Sequence, residues 1–374
     1  MCRKKYLPIV CFVLSFSLFS CVNELKEQRA SSDVSSPKEV EVRFTGFQEE
    51  KSIVLPEEGF DFIGNPTALL STQDYLLVLD TYNAPHLTIL KKDDLTLLGK
   101  MIFEGKGPGE ALNPGKMIRA KRSNSFWLFD GLMQRLQLFD VEAALAALEA
   151  EEVYDPPRIV LLKDSLRGSV DPDLISDSLF VTTTFTFDDC RFFCFDQAPQ
   201  LIAKVGVLPP SLSEWPEQGV KAYFPIAPMY YQAKLATHPL KNWVAVGYFD
   251  TDVLEIYKNE VLTRRITGPE GFEIEKQIVE QAEGIYAAIG TSETKEAYLR
   301  MQANEDFIYT LFIGTVDNRR NRIHIFDWEG RPVQKLLFNH ELGGFYMEKQ
   351  GEDTYMLYVS DQETGKVGKI PLTF

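Results

Sequence analysis

The feature that most constrains this chain is an internal repeat. A short apolar strand ending in aspartate, a polar turn and a second apolar strand recur six times. The copies are LLVLD ending at Asp80 and followed by HLTIL, FWLFD at Asp130 and RLQLF, TTTFTFD at Asp188 and RFFCF, VAVGYFD at Asp250 and VLEIY, FIGTVD at Asp317 and RIHIF, and MLYVSD at Asp361 and KVGKI. Successive aspartates lie 50, 58, 62, 67 and 44 residues apart. Apolar alternation on both sides of a polar turn reads as a β-hairpin. A carboxylate at the end of the first strand can accept from backbone N–H groups just beyond it, so these six aspartates are predicted to cap turns.

Two further strands flank each hairpin. Upstream lie TALLS (Thr67–Ser71), KMIRA (Lys116–Ala120), a weak counterpart at Asp171–Ile175, YYQAKLA (Tyr230–Ala236), AYLRM (Ala297–Met301) and GFYME (Gly344–Glu348). Downstream lie LLGKMIF (Leu97–Phe103), RIVLL (Arg158–Leu162), LIAKVG (Leu201–Gly206), VLTRRI (Val261–Ile266) and VQKLLF (Val333–Phe338). The sixth unit reaches Phe374 without a fourth strand, and KSIVL (Lys51–Leu55) is the segment predicted to supply it and close the ring. Six units of four antiparallel strands describe an all-β, six-bladed β-propeller over residues 41–374. Two β-sandwich domains would not explain six equivalent units.

Two insertions decorate the ring. VEAALAALEAEEV (Val141–Val153) is alanine-rich, carries Val141, Leu145 and Leu148 on one face, and has Asp140 as N-cap, which predicts a helix against the outside of the ring. Gly271–Glu296, between blades four and five, is predicted to be partly helical and to sit as a lid or rim at the channel mouth.

Residues 1–20 read as a signal peptide, with Arg3, Lys4 and Lys5 before the apolar run Leu7–Ser20, which is too short to span a bilayer comfortably. Leu18-Phe19-Ser20-Cys21 resembles the lipobox of bacterial lipoproteins, which implies lipidation at Cys21. Acyl chains on that cysteine would hold the protein to a membrane without a transmembrane helix. The polar, serine-rich residues 22–40 read as a disordered tether. The expected location is the bacterial envelope, at the outer membrane. Glu24 and Glu27, interrupted by Lys26, leave the facing open.

The formal net charge is −15. Nucleic acid needs a basic footprint, so it is not an expected partner. Beyond the leader and Cys21 only Cys190 and Cys194 remain. Four residues along a strand separate two Cα atoms by roughly 13 Å, beyond the reach of a disulfide. Two buried thiols are expected.

The segment Gly105-Lys106-Gly107-Pro108-Gly109-Glu110 after a strand, with Asn113-Pro114 following, resembles the TolB-like six-bladed propeller lipoproteins of Bacteroidetes. The resemblance covers essentially the whole chain. It implies an envelope propeller and carries over no catalytic residues. The same loop is no phosphate cradle: Lys106 is followed by glycine, and Pro114 and Gly115 stand where a dinucleotide-binding turn would open a helix.

No G-x-S-x-G, H-E-x-x-H or paired C-x-x-C occurs, and His86, His238, His324 and His340 fall in different units. Neither a catalytic residue nor a cofactor is expected. The innermost strands carry Arg119, Lys121, Lys234, Arg300 and Glu348, which makes them candidate ligand-binding residues at a channel mouth formed with the loops between blades. A basic lining would suit an anionic ligand such as a carboxylated sugar or acidic peptide, unless neighbouring acids pair with it. The favoured function is a non-catalytic binding or scaffolding module for a protein or glycan. The alternative is a lactonase-like or sugar hydrolase holding Ca²⁺ in the channel through carboxylate and amide oxygens.

Overall fold

The computed structural model describes residues 40–374, apart from residue 63 and residues 186–189, 209–225, 283–284 and 316–318. The expectations for the leader, Cys21 and the tether lie outside the described residues, as do Asp188 and Asp317.

Six antiparallel sheets succeed one another along the chain, each built in sequence order from the innermost strand outward. Blade one comprises Ala68–Ser71, Tyr75–Leu79, Leu87–Lys91 and Leu97–Met101. Blade two comprises Pro114–Arg119, Ser125–Asp130, Arg135–Asp140 and Arg158–Leu161; blade three Asp173–Ser176, Leu179–Thr182, Phe192–Asp196 and Leu201–Val205. Blade four comprises Ala233–Thr237, Trp243–Tyr248, Val253–Lys258 and Val261–Thr267; blade five Tyr298–Ala303, Phe307–Phe312, Arg322–Asp327 and Pro332–Phe338. Blade six has Leu342–Lys349, Thr354–Asp361 and Lys366–Thr373 from the chain's end. All five strand sets anticipated upstream of the hairpins, and the weak one in the third unit, are the innermost strands.

The second strands explain why the hairpins read as continuous apolar runs. Every residue of Ser125–Asp130 is buried, because both faces of a blade are covered by its neighbours. The core consequently lies between blades: one cluster joins Leu77 and Leu79 of blade one with Phe126 and Leu128 of blade two and Tyr358 of blade six. Burial on both faces, repeated around a ring, stabilises blades that could not bury their apolar sides alone.

The ring closes differently from the expectation. The strand that completes blade six is Phe60–Asp61, antiparallel to Lys366–Thr373, with the Phe62 N–H donating to Gly365 O. The segment anticipated for that place lies in Glu49–Ile53, which instead adds a parallel fifth strand beside Pro332–Phe338 of blade five. Glu41–Arg43 adds likewise to Val261–Thr267 of blade four. Two physical reasons decide this. Of Glu49–Ile53 only Ile53 is buried, as suits a strand laid on the edge of a finished blade. Phe60–Asp61 lies a short link from Ala68 of blade one, whereas closure at Ile53 would leave a long irregular connection.

The first insertion is the predicted helix, Val141–Glu149, with Asp140 accepting from the Ala143 N–H as its N-cap. Its Leu145 and Leu148 lie over Gly99 on the outermost strand of blade one. The second insertion corrects the expectation of helix: it is a β-hairpin of Lys276–Ala282 and Ile285–Gly290. The β-branched and alternating run KQIVEQA favours the pleat over the helical reading of its charges. Among the described residues no helix is long and apolar enough to cross a membrane.

Candidate functional site

The innermost strands of all six blades surround a central cavity of about 820 Å³. Such a volume lies in the range that holds small ligands. Antiparallel strand order puts the turns between first and second strands on one face, and the Asp-capped turns and blade connections on the other. The cavity reaches the first face, where Gln73, Lys121, Leu240 and Glu305 line it. Of the loops expected to form a mouth between blades, only Asp171 lines it among the described residues. Among the described residues neither the Gly-rich connection nor the inserted hairpin lines the cavity. The Gly-rich connection instead folds back onto its blade, with Arg135 holding the Lys106 and Glu110 carbonyls.

All five predicted channel residues, Arg119, Lys121, Lys234, Arg300 and Glu348, line the cavity. Their electrostatic situations differ. Glu348 is fully engaged: it accepts from Lys92 Nζ at 3.1 Å, Ser71 Oγ at 3.1 Å, Gln350 Nε2 at 2.9 Å and the Tyr358 hydroxyl at 3.3 Å. Lys121 approaches Asp177 at 3.9 Å at the exposed rim. Arg119 faces the cavity beside the hydroxyl of Tyr346, whose pKa is raised by burial although the guanidinium opposes the shift. Lys234 and Arg300 have no carboxylate within 4 Å among the described residues, and Arg300 Nε is buried without a hydrogen-bond partner. Burial lowers the pKa of both, that of Arg300 to about 10; Asp171 opposes both shifts, while Arg300 and Lys116 add to that of Lys234 and Arg320 to that of Arg300.

Sequence reasoning missed the ion pair that borders them. Lys116 Nζ donates to Asp171 Oδ2 at 3.1 Å and to Leu235 O at 3.0 Å, and Asp171 also accepts from the Leu235 N–H. Asp173 accepts from the Thr237 N–H at 3.1 Å. These carboxylates tie blade three to the backbone of blade four. Burial alone would raise Asp171, but Lys116, Lys234 and the Leu235 amide bring it below the usual carboxylate range. Burial wins at Asp173, which titrates above it. A charge at the start of an inner strand was the available signal, present at Lys116 just as at Lys234.

Among the described residues no group of three or more His, Cys, Asp or Glu is arranged to hold a metal ion. None of the four histidines lines the cavity. His86 Nδ1 contacts Asp80 O, His238 Nδ1 accepts from the Leu240 and Lys241 N–H groups, His324 stacks on Phe312, and His340 sits by Asp361. Cys190 and Cys194 are buried and not disulfide-bonded, and burial pushes the Cys194 thiol up to about 12.

The recurring aspartates are turn caps in three of the four described copies. Asp80 accepts from the Tyr82 and Asn83 N–H groups, Asp130 from Leu132 and Met133, and Asp361 from Glu363 and Thr364. Asp80 and Asp130 also reach the connection before their blade, accepting from the Asn65 N–H and from those of Leu112 and Asn113. Asp250 departs from the pattern and pairs with Lys276 of the inserted hairpin at 2.6 Å. Its neighbour Asp252 accepts instead from the Glu270 and Gly271 N–H groups. The nearby cation of the insertion takes the carboxylate that the local repeat assigned to a turn.

The Gly-rich connection is structural. Glu110 folds back to accept from the Gly107 N–H at 2.7 Å, and a Cβ at Gly105 would collide with its carboxylate. Gly109 adopts φ +72, donates to Gln137 Oε1, and Arg135 holds the Lys106 and Glu110 carbonyls. Pro108 stiffens the turn between them.

The fold and channel define a six-bladed propeller with a central cavity lined by both charged and apolar side chains. The chain belongs to the TolB-like 6-blade propeller-like family, whose pattern matches residues 43–350. Its structure is similar to that of a putative exported protein from Bacteroides fragilis, at 10% identity, covering 90% of this chain and 100% of that one with a TM-score of 0.51. A DUF4221 family member from Bacteroides vulgatus is 9% identical over 86% of this chain and 96% of that one, with a TM-score of 0.48. Likeness at this identity bears on the fold alone. No curated protein matches the chain.

Proposed function

We propose that this protein is an envelope lipoprotein, anchored through Cys21, whose channel binds a glycan or a polypeptide segment without chemically altering it. The carrying observation is the cavity of about 820 Å³ to which all six blades contribute, several of its cations lacking a counter-charge. Export is supported by the leader-like residues 1–20. The non-catalytic reading is supported by two of the four acids that line the cavity. Glu348 and Asp171 are each held by a lysine and by further donors, which leaves neither as a poised base.

The test pairs two measurements. Radiolabelled palmitate should enter the wild-type protein and not the Cys21→Ser variant. The purified protein should retain a ligand from arrays of envelope glycans and peptides, and that ligand should be recovered unchanged. Cleaved products, or a Ca²⁺-dependent rise in melting temperature reversed by chelator, would overturn the reading in favour of a metal-centred hydrolase.

A further inference from the structure

We propose that Arg300, Lys234 and Arg119 form a subsite for a carboxylate of the channel ligand, a deepening that rests on the channel-binding reading. The three cations come from blades five, four and two, so only the closed ring assembles them. Four other cations lining the channel have acids: Lys92 meets Glu348, Lys116 meets Asp171, Lys121 meets Asp177 and Lys349 meets Asp306, while Arg122 stands exposed at the rim. Lys234 and Arg300 have none within 4 Å among the described residues, and the Arg300 Nε is buried without an acceptor.

Two like charges on neighbouring inner strands, drawn out of water, oppose folding. Desolvation penalises each, and their mutual repulsion adds to it. Asp171 offsets part of that cost from beyond 4 Å, but it is already held by Lys116 and the Leu235 N–H, and an anion placed between the two cations would offset the rest. Arginine offers a planar fork matched to two carboxylate oxygens, and lysine adds a compact point charge beside it. Arg119 faces the same space from across the channel, held beside the Tyr346 hydroxyl. The protein's overall negative charge does not decide against an anion, because repulsion from the outer surface is screened within about 8–10 Å at physiological salt.

Carboxylates reach an envelope channel from acidic oligosaccharides or from acidic peptides, and the probes separate these sources. Binding of trigalacturonic acid, triglutamate and neutral maltotriose is measured calorimetrically on the purified protein, alongside Arg300→Met, Lys234→Met and the double variant. At least one acidic probe is expected to bind the wild type, and the double variant to lose at least tenfold in affinity. Arg300→Lys should recover part of that loss. The ligand-free Arg300→Met protein is expected to melt at a higher temperature, because a desolvated charge with no ion-pair partner within 4 Å among the described residues has been removed. Trigalacturonate binding alone identifies a glycan source and triglutamate binding alone a peptide source. Failure of both acidic probes, equal binding by the double variant, or a lower melting temperature for Arg300→Met would overturn the proposal. Maltotriose bound equally by wild type and double variant, with no acidic probe bound, would overturn the subsite while leaving channel binding standing.

Discussion

Replacing Asp130 by alanine should be among the most damaging single changes outside the apolar core. Its carboxylate is fully buried. Oδ1 accepts from the N–H groups of Asn113 at 3.2 Å, Leu132 at 3.1 Å and Met133 at 3.0 Å, and Oδ2 from that of Leu112 at 2.9 Å. Alanine removes all four acceptor contacts. The Leu132 and Met133 amides lie in a turn that carries an exposed Leu132, so water can replace part of the loss there. The Leu112 and Asn113 amides belong to the connection into blade two. A buried donor left unsatisfied costs about 1–3 kcal/mol, so the substitution should cost about 3–5 kcal/mol in all. Asp361 binds two turn amides and the half-exposed His340 ring but no blade connection, and Asp361→Ala should cost about 1–2 kcal/mol on the same basis. Asp130→Asn keeps one side-chain acceptor and should fall between. Urea unfolding followed by tryptophan fluorescence gives these differences, provided the slope with denaturant is unchanged. A loss below about 1 kcal/mol for Asp130→Ala, or an equal loss for Asp361→Ala, would refute the view that joining turn to blade connection sets the weight of these aspartates.

Three further outcomes are expected. The neutral His238 ring accepts two backbone N–H groups, and burial followed by the nearby Lys241 lowers its pKa to about 4. Its folded pKa lies below the unfolded value of about 6.5, so its contribution is complete above that pH and is lost as pH falls towards 4. Discounted for solvent screening, the effect is about 2 kcal/mol, and His238→Asn should flatten the fall in melting temperature across that window; parallel curves for the two proteins would count against it. Cys194 should resist Ellman's reagent at pH 8 in the folded protein and react at once in urea, since burial pushes its thiol up to about 12; rapid labelling of the native protein would show that the blade interior opens. Deleting residues 40–62 removes the strands on blades four, five and six together with Phe44, which packs on Phe326, and Phe47, which packs on His324. The melting temperature should drop by more than about 10 °C, and calorimetric scans showing no change would mean that the strap is dispensable.

The amino-acid sequence by itself determined the blade, its number of copies and its order along the chain, because hairpin alternation and an aspartate two or three residues before the next amides are local properties. Asp140 capping Val141–Glu149 was legible for the same reason. Tertiary structure decided matters set by partners far away in the chain. Glu49–Ile53 and Phe60–Asp61 are both short extended segments, and the edge each meets, about 300 residues later, together with the link left to blade one, separates a strap from a closing strand. Lys276–Ala282 became a strand and drew Asp250 out of its turn, since its lysine found that buried carboxylate across the blade connection. Arg119, Lys234 and Arg300 were each readable as charges on inner strands. Whether an acid met them depended on what neighbouring blades brought to the channel: Asp171 went to Lys116, Glu348 went to Lys92, and Lys234 and Arg300 were left facing the cavity. Desolvation turns that pairing into free energy, and the degree of desolvation exists only once the ring is closed.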